Sequence, residues 1–463
     1  MSLFKEMEYE EILEVAKEWE TAIAERRYAD FRVQVSRYHE SEIAEVFECI
    51  SEEYESRAFR LLTKEQAAEV FLTFDADRME RIISIVSDTE LASMLEEMYL
   101  DDTADIIEEM PAYIVKKILR NSTAEDRAAL NLLLHYPKDS AGTIMTTEYV
   151  RFRPEQTVSE ALAHIRKVAI DKETIYTSYV TDHARHLLGI VTAKQLLISP
   201  LETPLSEIME GHVISVTTLE DKEAVAMKFD KYGFLSLPVV DAENRLVGIV
   251  TVDDAMDVLR EEVEEDIAKM AGMSPTEEPY LKTSVLSLFL SRVPWLLLLM
   301  ISATFSSTIL NFFESALPAV LVLFVPMLMD TGGNSGGQAS VTLIRGLSLG
   351  EVTGRDTLRI LYKELRVGLL CGLAVGVVAF GKVMLVDHLI MGNPTVTVSV
   401  ALAVALTMLV TVLIAKLIGC LLPLGAARLG LDPAVMASPF ITTIVDALAL
   451  LVYFLIASNV LQI

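Results

Sequence analysis

Up to about residue 136, apolar positions recur in short bursts, as in "DRMERIISIVSD", "TELASMLEEMY" and "DTADIIEEM". Residues three and four apart share one helix face, so each burst reads as a short amphipathic helix. Turn and cap residues interrupt the bursts about every dozen positions, which predicts a small helical array. Past residue 281 the chain becomes almost continuously apolar. A membrane-spanning helix needs about 20 mostly apolar residues. Five stretches meet that length, at about 285–311, 317–344, 360–386, 396–424 and 437–460.

The second of these stretches is interrupted by polar residues. "DTGGNSGGQAS", residues 330–340, follows "ALPAVLVLFVPMLM" and implies a broken, polar helix at membrane depth. Irregular backbone survives there only when buried in protein or lining a wet cavity. Pro326, Asp330, Asn334 and Gln338 fall at four-residue spacing, so one stripe of this span does not suit lipid. Two readings stand: a pore lining, or close helix packing through the Gly332–Gly336 and Gly333–Gly337 pairs. In the fifth stretch, "SPFITTIVDALALLVYFLIA", Asp446 sits inside apolar sequence with Thr442 one turn before it. A charge near the bilayer centre costs at least a few kcal/mol and normally faces a cavity. The structural alternative is a partner for a basic residue in another span, such as Lys416 or Arg292. Asp432–Pro433 opens a helix turn just before this span, where an ordinary N-cap is the plain reading.

Residues 138–262 repeat internally. "AGTIMTTEYVRFRPEQTVSEALAHI" pairs with "LSEIMEGHVISVTTLEDKEAVAMKF", and "HLLGIVTAKQLL" with "RLVGIVTVDDAM". Each copy reads strand, helix, strand, strand, helix. Between repeat and membrane, "AMDVLREEVEEDIAKMAG" carries Met256, Leu259, Val263, Ile267 and Met270 as a helical apolar stripe. Glu262 and Asp266 are like charges at i,i+4, which weakens an isolated helix. A divalent cation relieves that repulsion; a solvated connector face is the alternative.

Charge sharpens the division. Residues 282–463 hold 8 acidic and 10 basic side chains, whereas residues 1–281 hold 58 and 29, a net of −29. A region so negative repels nucleic acid phosphates and attracts multivalent cations, although solubility alone also accounts for it. The loop carrying Arg345, Arg355, Arg359, Lys363 and Arg366, and that carrying Arg428, are positive. Positive loops stay in the cytoplasm. The chain is therefore expected in the cell (inner or plasma) membrane with its acidic half cytoplasmic and its C-terminus outside. Cys49, Cys371 and Cys420 are far apart, predicting neither a disulfide framework nor a zinc site. The start of the chain does not read as a signal peptide.

The paired "GIVT" segments resemble a tandem pair of CBS domains, which commonly sense adenine nucleotides. Thr251 and Asp254 fit the ribose contact of such pairs better than the first copy, which has Gln195; a pure dimerisation scaffold is the alternative. The full order of parts resembles the MgtE family of magnesium channels, most specifically in "PMLMDTGGNSGGQ" and "LDPAVMASPFITTIVD". The resemblance implies a multidomain protein: an acidic α-helical N domain (1–136), two α/β CBS domains (137–199 and 200–254), a connecting plug helix (255–280), and a five-helix α transmembrane domain (281–463). It implies a homodimer, with Asp446 holding hydrated Mg²⁺ in the pore, Asn334 in the matching polar segment, Thr442 nearby, and Asp432 at the cytoplasmic mouth. It further implies regulatory Mg²⁺ at Asp101, Asp105, Asp221, Glu223, Asp254, Asp257, Glu262, Glu265 and Asp266. Two positions depart from the family pattern: Gly337 stands where Asn or Ser is usual, and Gly233 where an acidic residue can occur.

The expected function is Mg²⁺ import down the membrane potential, closed by cytosolic Mg²⁺, with ATP or another adenine nucleotide at the CBS pair. A transporter for Co²⁺ or Mn²⁺, or a coupled exporter, remains an alternative. No His or Cys cluster lines the spans for a soft metal. The chain lacks HExxH and GxxxxGK[ST], so no enzyme activity is expected.

Overall fold

The computed structural model describes residues 9–169, 172–276, 280, 283–314, 318–436 and 438–462. The chain divides into two compact units, Met1–Leu259 and Arg260–Ile463.

The first unit opens with ten helices, α1 to α10, from Tyr9–Ala24 to Ala124–Leu133. Eight of them start after His39, Ser51, Thr63, Asp75, Ser87, Tyr99, Pro111 and Thr123, which stand twelve residues apart throughout. At His39, Thr63 and Ser87 the cap is reciprocal, the third helical residue returning a side-chain oxygen to the cap N–H. Such caps satisfy backbone donors that a short helix otherwise leaves bare. The buried faces meet around Trp19, which lies edge-on to Phe31, Tyr38 and Phe47 at ring distances of 5.3, 6.1 and 6.2 Å.

The repeat forms two three-stranded sheets of identical order. In the first, β1 (Tyr149–Phe152) runs parallel to β2 (Thr174–Thr181), which pairs antiparallel with β3 (Leu187–Thr192). In the second, β4 (Val216–Thr217), β5 (Ser236–Val240) and β6 (Leu246–Thr251) pair likewise. The copies are interleaved. Thr146 bridges to Ile249, and Ile190 to Glu210. A Cβ on Gly248 would meet the Met145 sulfur at 2.6 Å, and one on Gly189 the Met209 sulfur at 2.9 Å. The glycine of each "GIVT" thus receives the methionine of an "IM" pair. Helices α11 (Val158–Val168), α12 (Ala193–Ile198), α13 (Leu205–Ile208) and α14 (Lys222–Tyr232) complete the pair. Gly233 ends α14 at φ 66°, a left-handed cap that glycine adopts without penalty. The long α15 (Val252–Met270) follows. Its expected apolar stripe is largely exposed: Met256 58%, Val263 57% and Ile267 57%.

The second unit contains α16 (Val285–Glu314), α17 (Ala319–Val322), α18 (Val325–Ser348), α19 (Thr357–Lys382), α20 (Val398–Arg428) and α21 (Ser438–Leu461). Among the described residues, four stretches are long and apolar enough to cross a membrane: 285–312, 354–390, 398–428 and 433–461. The expected second span, 317–344, differs in form. It comprises the short α17 and then α18, whose 24 residues reach about 36 Å. The expected break at 330–340 is absent, because α18 is continuous through all four glycines. The interruption lies upstream, between α17 and α18.

Packing explains the unbroken helix. A Cβ on Gly332 would meet Thr411 and Val445 at 2.8 and 2.9 Å; one on Gly336 would meet Ile441 at 2.6 Å. Gly419 faces the Gly336 carbonyl, where a Cβ would stand 2.3 Å from the oxygen. The glycines let α20 and α21 approach the α18 backbone, so the packing reading of these residues holds. Gly419→Ala is therefore expected to cost about 1–3 kcal/mol by forcing α18 and α20 apart. Gly381→Ala, which meets nothing within 4 Å, should be neutral or slightly stabilising. Thermal unfolding of the two variants in detergent distinguishes them; equal midpoints would contradict the close approach.

Candidate functional site

With its glycines turned inward, α18 leaves the opposite stripe exposed: Pro326, Asp330, Asn334, Gln338 and Thr342. The level of that stripe follows from the packing. Gly333 lies against Thr442, and Gly332 against Val445, so Asn334 stands level with the turn of α21 that leads into Asp446. Asp446 is half-buried and feels the charge of Asp330. It lines a cavity of about 210 Å³ with Ala303, Ser306, Ser307, Met329 and Thr443. That volume holds about seven waters at ~30 Å³ each. Thr443 lines this space; Thr442 packs on Gly333 and donates to the Pro439 carbonyl at 2.9 Å. The basic residues considered as structural partners stand elsewhere. Lys416 packs beside Gly368 of α19, and Arg292 is exposed. Gly337 is buried, so it offers no group to the exposed stripe.

A second locale joins the end of α15 to the ends of the spanning helices. Asp432 caps the turn Pro433–Met436, accepting from the Ala434 N–H at 2.7 Å. Its other oxygen lies 2.6 Å from the Lys269 ammonium, which also pairs with Glu265. Burial disfavours the Lys269 charge, but the bonds to Asp432 and Glu265 outweigh it and hold its pKa above the usual lysine value. Asp266 accepts from the Ser348 hydroxyl at 3.0 Å, and burial pushes its carboxyl pKa up. Met270 packs with Ile344 and Ala434, and a Cβ on Gly272 would touch Pro439 at 2.9 Å. Glu262 lies one turn earlier on the same helix, half-buried.

The third locale lies wholly within the first unit. Asp101, Asp102 and Asp105 occupy the first turns of α8 (Leu100–Glu109). Their charges meet those of Asp253 and Asp254 at the start of α15 and of Glu148 and Glu173 beside β1 and β2. Asp257 acts on Asp254 from the next turn. Asp101 is only 6% exposed. Burial, then Asp254, pushes its carboxyl pKa well above the usual range. The same two causes, burial first, raise Asp102 to about 7 and Glu173 to about 8. Asp105 reaches about 7 through burial and Asp102. Asp254 reaches about 6 by burial, moderated by its bond from the Thr251 hydroxyl. One oxygen of Asp101 and one of Glu173 are buried with no hydrogen-bond donor. Such uncompensated buried acceptors are costly and suit a bound cation or its waters. Among the described residues no three His, Cys, Asp or Glu side chains close directly on one metal point.

Two expected sensing residues behave differently. Asp221 is the N-cap of α14, accepting from the Glu223 and Ala224 N–H groups at 2.9 and 3.3 Å. Glu223 lies in that same first turn. For a nucleotide, Thr251 and Asp254 do stand together, but as a closed cap with the Asp254 carboxylate facing the acidic cluster.

The arrangement of parts matches known proteins. Residues 325–456 match the MgtE divalent cation transporter family, 38–139 its intracellular N domain, and 141–201 and 205–261 the CBS domain. The magnesium transporter MgtE of Thermus thermophilus is 36% identical over 439 residues, covering 93% of this chain and 95% of that protein. The chain belongs to the MgtE family. Its relative in Bacillus subtilis, also a magnesium transporter MgtE, is 30% identical over 93% of both chains. Among solved structures, the ATP complex of the cytosolic domain of the Mg²⁺ channel MgtE is 35% identical. It covers 52% of this chain and 99% of its own, with a TM-score of 0.50. The soluble part of a magnesium transporter gives 30%, 54%, 99% and 0.51 for the same measures. These likenesses support Mg²⁺ transport by this MgtE chain.

The resemblance named Asp101, Asp105, Asp254 and Asp257 separately among the regulatory positions, and the structure sets their charges against one another. Sequence reasoning missed Glu148, Glu173 and Asp253 as members of the cluster, and Ser306, Ser307 and Thr443 around Asp446. Glu148 carried one faint signal, its position just past the "IMTT" segment that docks on the second repeat.

The acidic cluster makes stability depend on pH. The unfolded chain releases these protons near pH 4, whereas the folded cluster keeps them until about 6 to 8. Folded stability therefore falls as pH rises from about 4 until these groups ionise at about 6 to 8, and the penalty is absent only below pH 4. In divalent-free buffer, unfolding of the first unit should move to lower temperature between pH 6 and pH 8. Millimolar Mg²⁺ or Asp102→Asn should flatten the trend. Trp19 fluorescence in a Trp295→Phe background follows it; an unchanged slope in both cases would refute the reading.

Proposed function

We propose that this MgtE chain is a Mg²⁺-selective, channel-like importer, working as a homodimer in the cell membrane with its acidic unit in the cytoplasm and its C-terminus outside. The observation that carries this is the exposed polar stripe of α18 beside the Asp446 cavity, within an apolar bundle. Facing lipid, Asp330, Asn334 and Gln338 would be unsolvated; facing a second copy across a two-fold axis, they line a wet path. The exposed apolar residues of α15 favour the same partner, since Met256, Val263 and Ile267 need cover.

In this reading two copies of Asp446 hold the hydrated ion by its waters, helped by Thr443, Ser306 and Ser307. A carboxylate from each chain neutralises charge without stripping a hydration shell that Mg²⁺ surrenders reluctantly. Inward movement needs no fuel. A divalent ion gains about 4.6 kcal/mol per 100 mV of inside-negative potential, twice the single-charge value. Influx into liposomes at a negative internal potential tests it: Asp446→Asn should lose at least tenfold in rate. Equal influx in both proteins would remove Asp446 from the path.

Closure rests on the carboxylates. At high cytosolic Mg²⁺ the charges of Asp101, Asp102, Glu173 and Asp254 are compensated, and α15 keeps its seat. At low Mg²⁺ they repel one another and the helix is released, a population shift between two states. Lys269 is the built-in contact of the seated state, bridging Glu265 to Asp432. Lys269→Gln leaves Asp432 without its counter-charge. It is expected to raise influx at millimolar internal Mg²⁺ several-fold and to speed hydrogen exchange over residues 262–272. Influx still fully closed, with exchange unchanged, would exclude the latch. An adenine nucleotide at the CBS pair is supported by the ATP complex of the similar cytosolic domain. Its ribose would take the place of the Thr251 hydroxyl on Asp254.

A further inference from the structure

Four cations at and just before the start of α19 have no partner in the ion path or the latch. Arg355, Arg359, Lys363 and Arg366 are all exposed. Among the described residues none of them makes an ion pair, in a chain where 66 acidic residues outnumber 39 basic ones. Their placement is ordered. At 100° per residue, Arg359, Tyr362, Lys363 and Arg366 fall within an arc of about 100° on one face of α19. Glu364 points to the opposite side, towards Cys420 and the bundle interior. The Arg366 guanidinium lies over the Tyr362 ring, 4.5 Å from its centre.

The same face changes character one turn further on. Leu370, Leu373 and Val377 continue the stripe and are 70%, 47% and 72% exposed. A single helix face thus runs from cations, through an arginine-stacked tyrosine, into bare aliphatic side chains. That is the order of chemistry met on going from the headgroup layer to the acyl chains of one leaflet. The foot of this helix is also braced. Arg428 of α20 donates to the Gly354 carbonyl and the Thr357 hydroxyl, each at 2.9 Å.

We propose that this face of α19 is a binding site for an anionic phospholipid, whose phosphate sits among Arg359, Lys363 and Arg366 while its acyl chains lie along Leu370, Leu373 and Val377. Arginine grips a phosphate with a planar fork and lysine with a point charge, so the set suits a phosphodiester near an apolar wall. An acidic protein surface offers charge alone and leaves the aliphatic half of the stripe unexplained.

The test is lipid binding by the intact, detergent-purified protein, followed by native mass spectrometry with phosphatidylglycerol and phosphatidylcholine as probes. The expected result is roughly tenfold tighter binding of phosphatidylglycerol, lost in the triple variant R359Q/K363Q/R366Q. The charge-keeping variant R359K/R366K should retain most of it, which separates loss of the site from loss of the fold. The preference of the intact protein should also shrink at about 0.5 M salt. Equal binding of both lipids, or an undiminished preference in the triple variant, would overturn the proposal. So would complete competition by millimolar inorganic phosphate, which would make this a free-anion site. If the triple variant keeps its lipids but changes the Mg²⁺-dependent protease protection of residues 1–259, the stripe serves the acidic unit instead.

Discussion

The contact between Gly336 and Gly419 governs the membrane half. No Cβ fits between α18 and α20 at that point, because the Gly336 carbonyl would lie 2.3 Å from it. With glycine on both sides the two backbones touch, and α21 closes in through Ile441 and Val445. A helix packed so tightly on one face must present its remaining side chains on the other. Those are Asp330, Asn334, Gln338 and Thr342. Small residues and polar residues in "DTGGNSGGQAS" are therefore two faces of one arrangement, the first buried against α20 and α21 and the second exposed.

The cytosolic half rests on a different constraint, the self-repulsion of acidic groups in a partly dry setting. Asp101 and Asp102 sit in the first turn of α8, Asp254 in the first turn of α15, and Glu173 just before β2. Their raised pKa values express the cost of ionising them there. The structure thus stores a charge imbalance that neutral pH exposes. At the far end of α15 the equivalent problem is solved without a metal, since Lys269 supplies the positive charge between Glu265 and Asp432.

Some of this was legible in the chain. The twelve-residue spacing of helix starts showed as recurring caps, and the two "GIVT" segments announced a duplicated fold. Asp446 stood out because a carboxylate inside twenty apolar residues has few structural explanations. Other features left almost no linear trace. Glu148 and Glu173 look like ordinary surface acids, and only the folding of β1 and β2 beside α8 brings them to Asp101. Thr443 and Thr442 are neighbours in sequence, and helix rotation alone decides which one faces the cavity. Asp221 looked like a sensing carboxylate, yet its backbone position makes it a helix cap.

By itself the sequence determined the kinds of element, the division into an acidic half and an apolar half, and the residues too polar for their surroundings. Those properties depend on periodicity and transfer free energy, which are local and readable in order along the chain. The tertiary structure decided whether α18 breaks, which hydroxyls share the space of Asp446, and which carboxylates face one another. These depend on helix rotation and on contacts between residues far apart in sequence, where a shift of one position along a helix turns a side chain by 100° and sends it to a different neighbour.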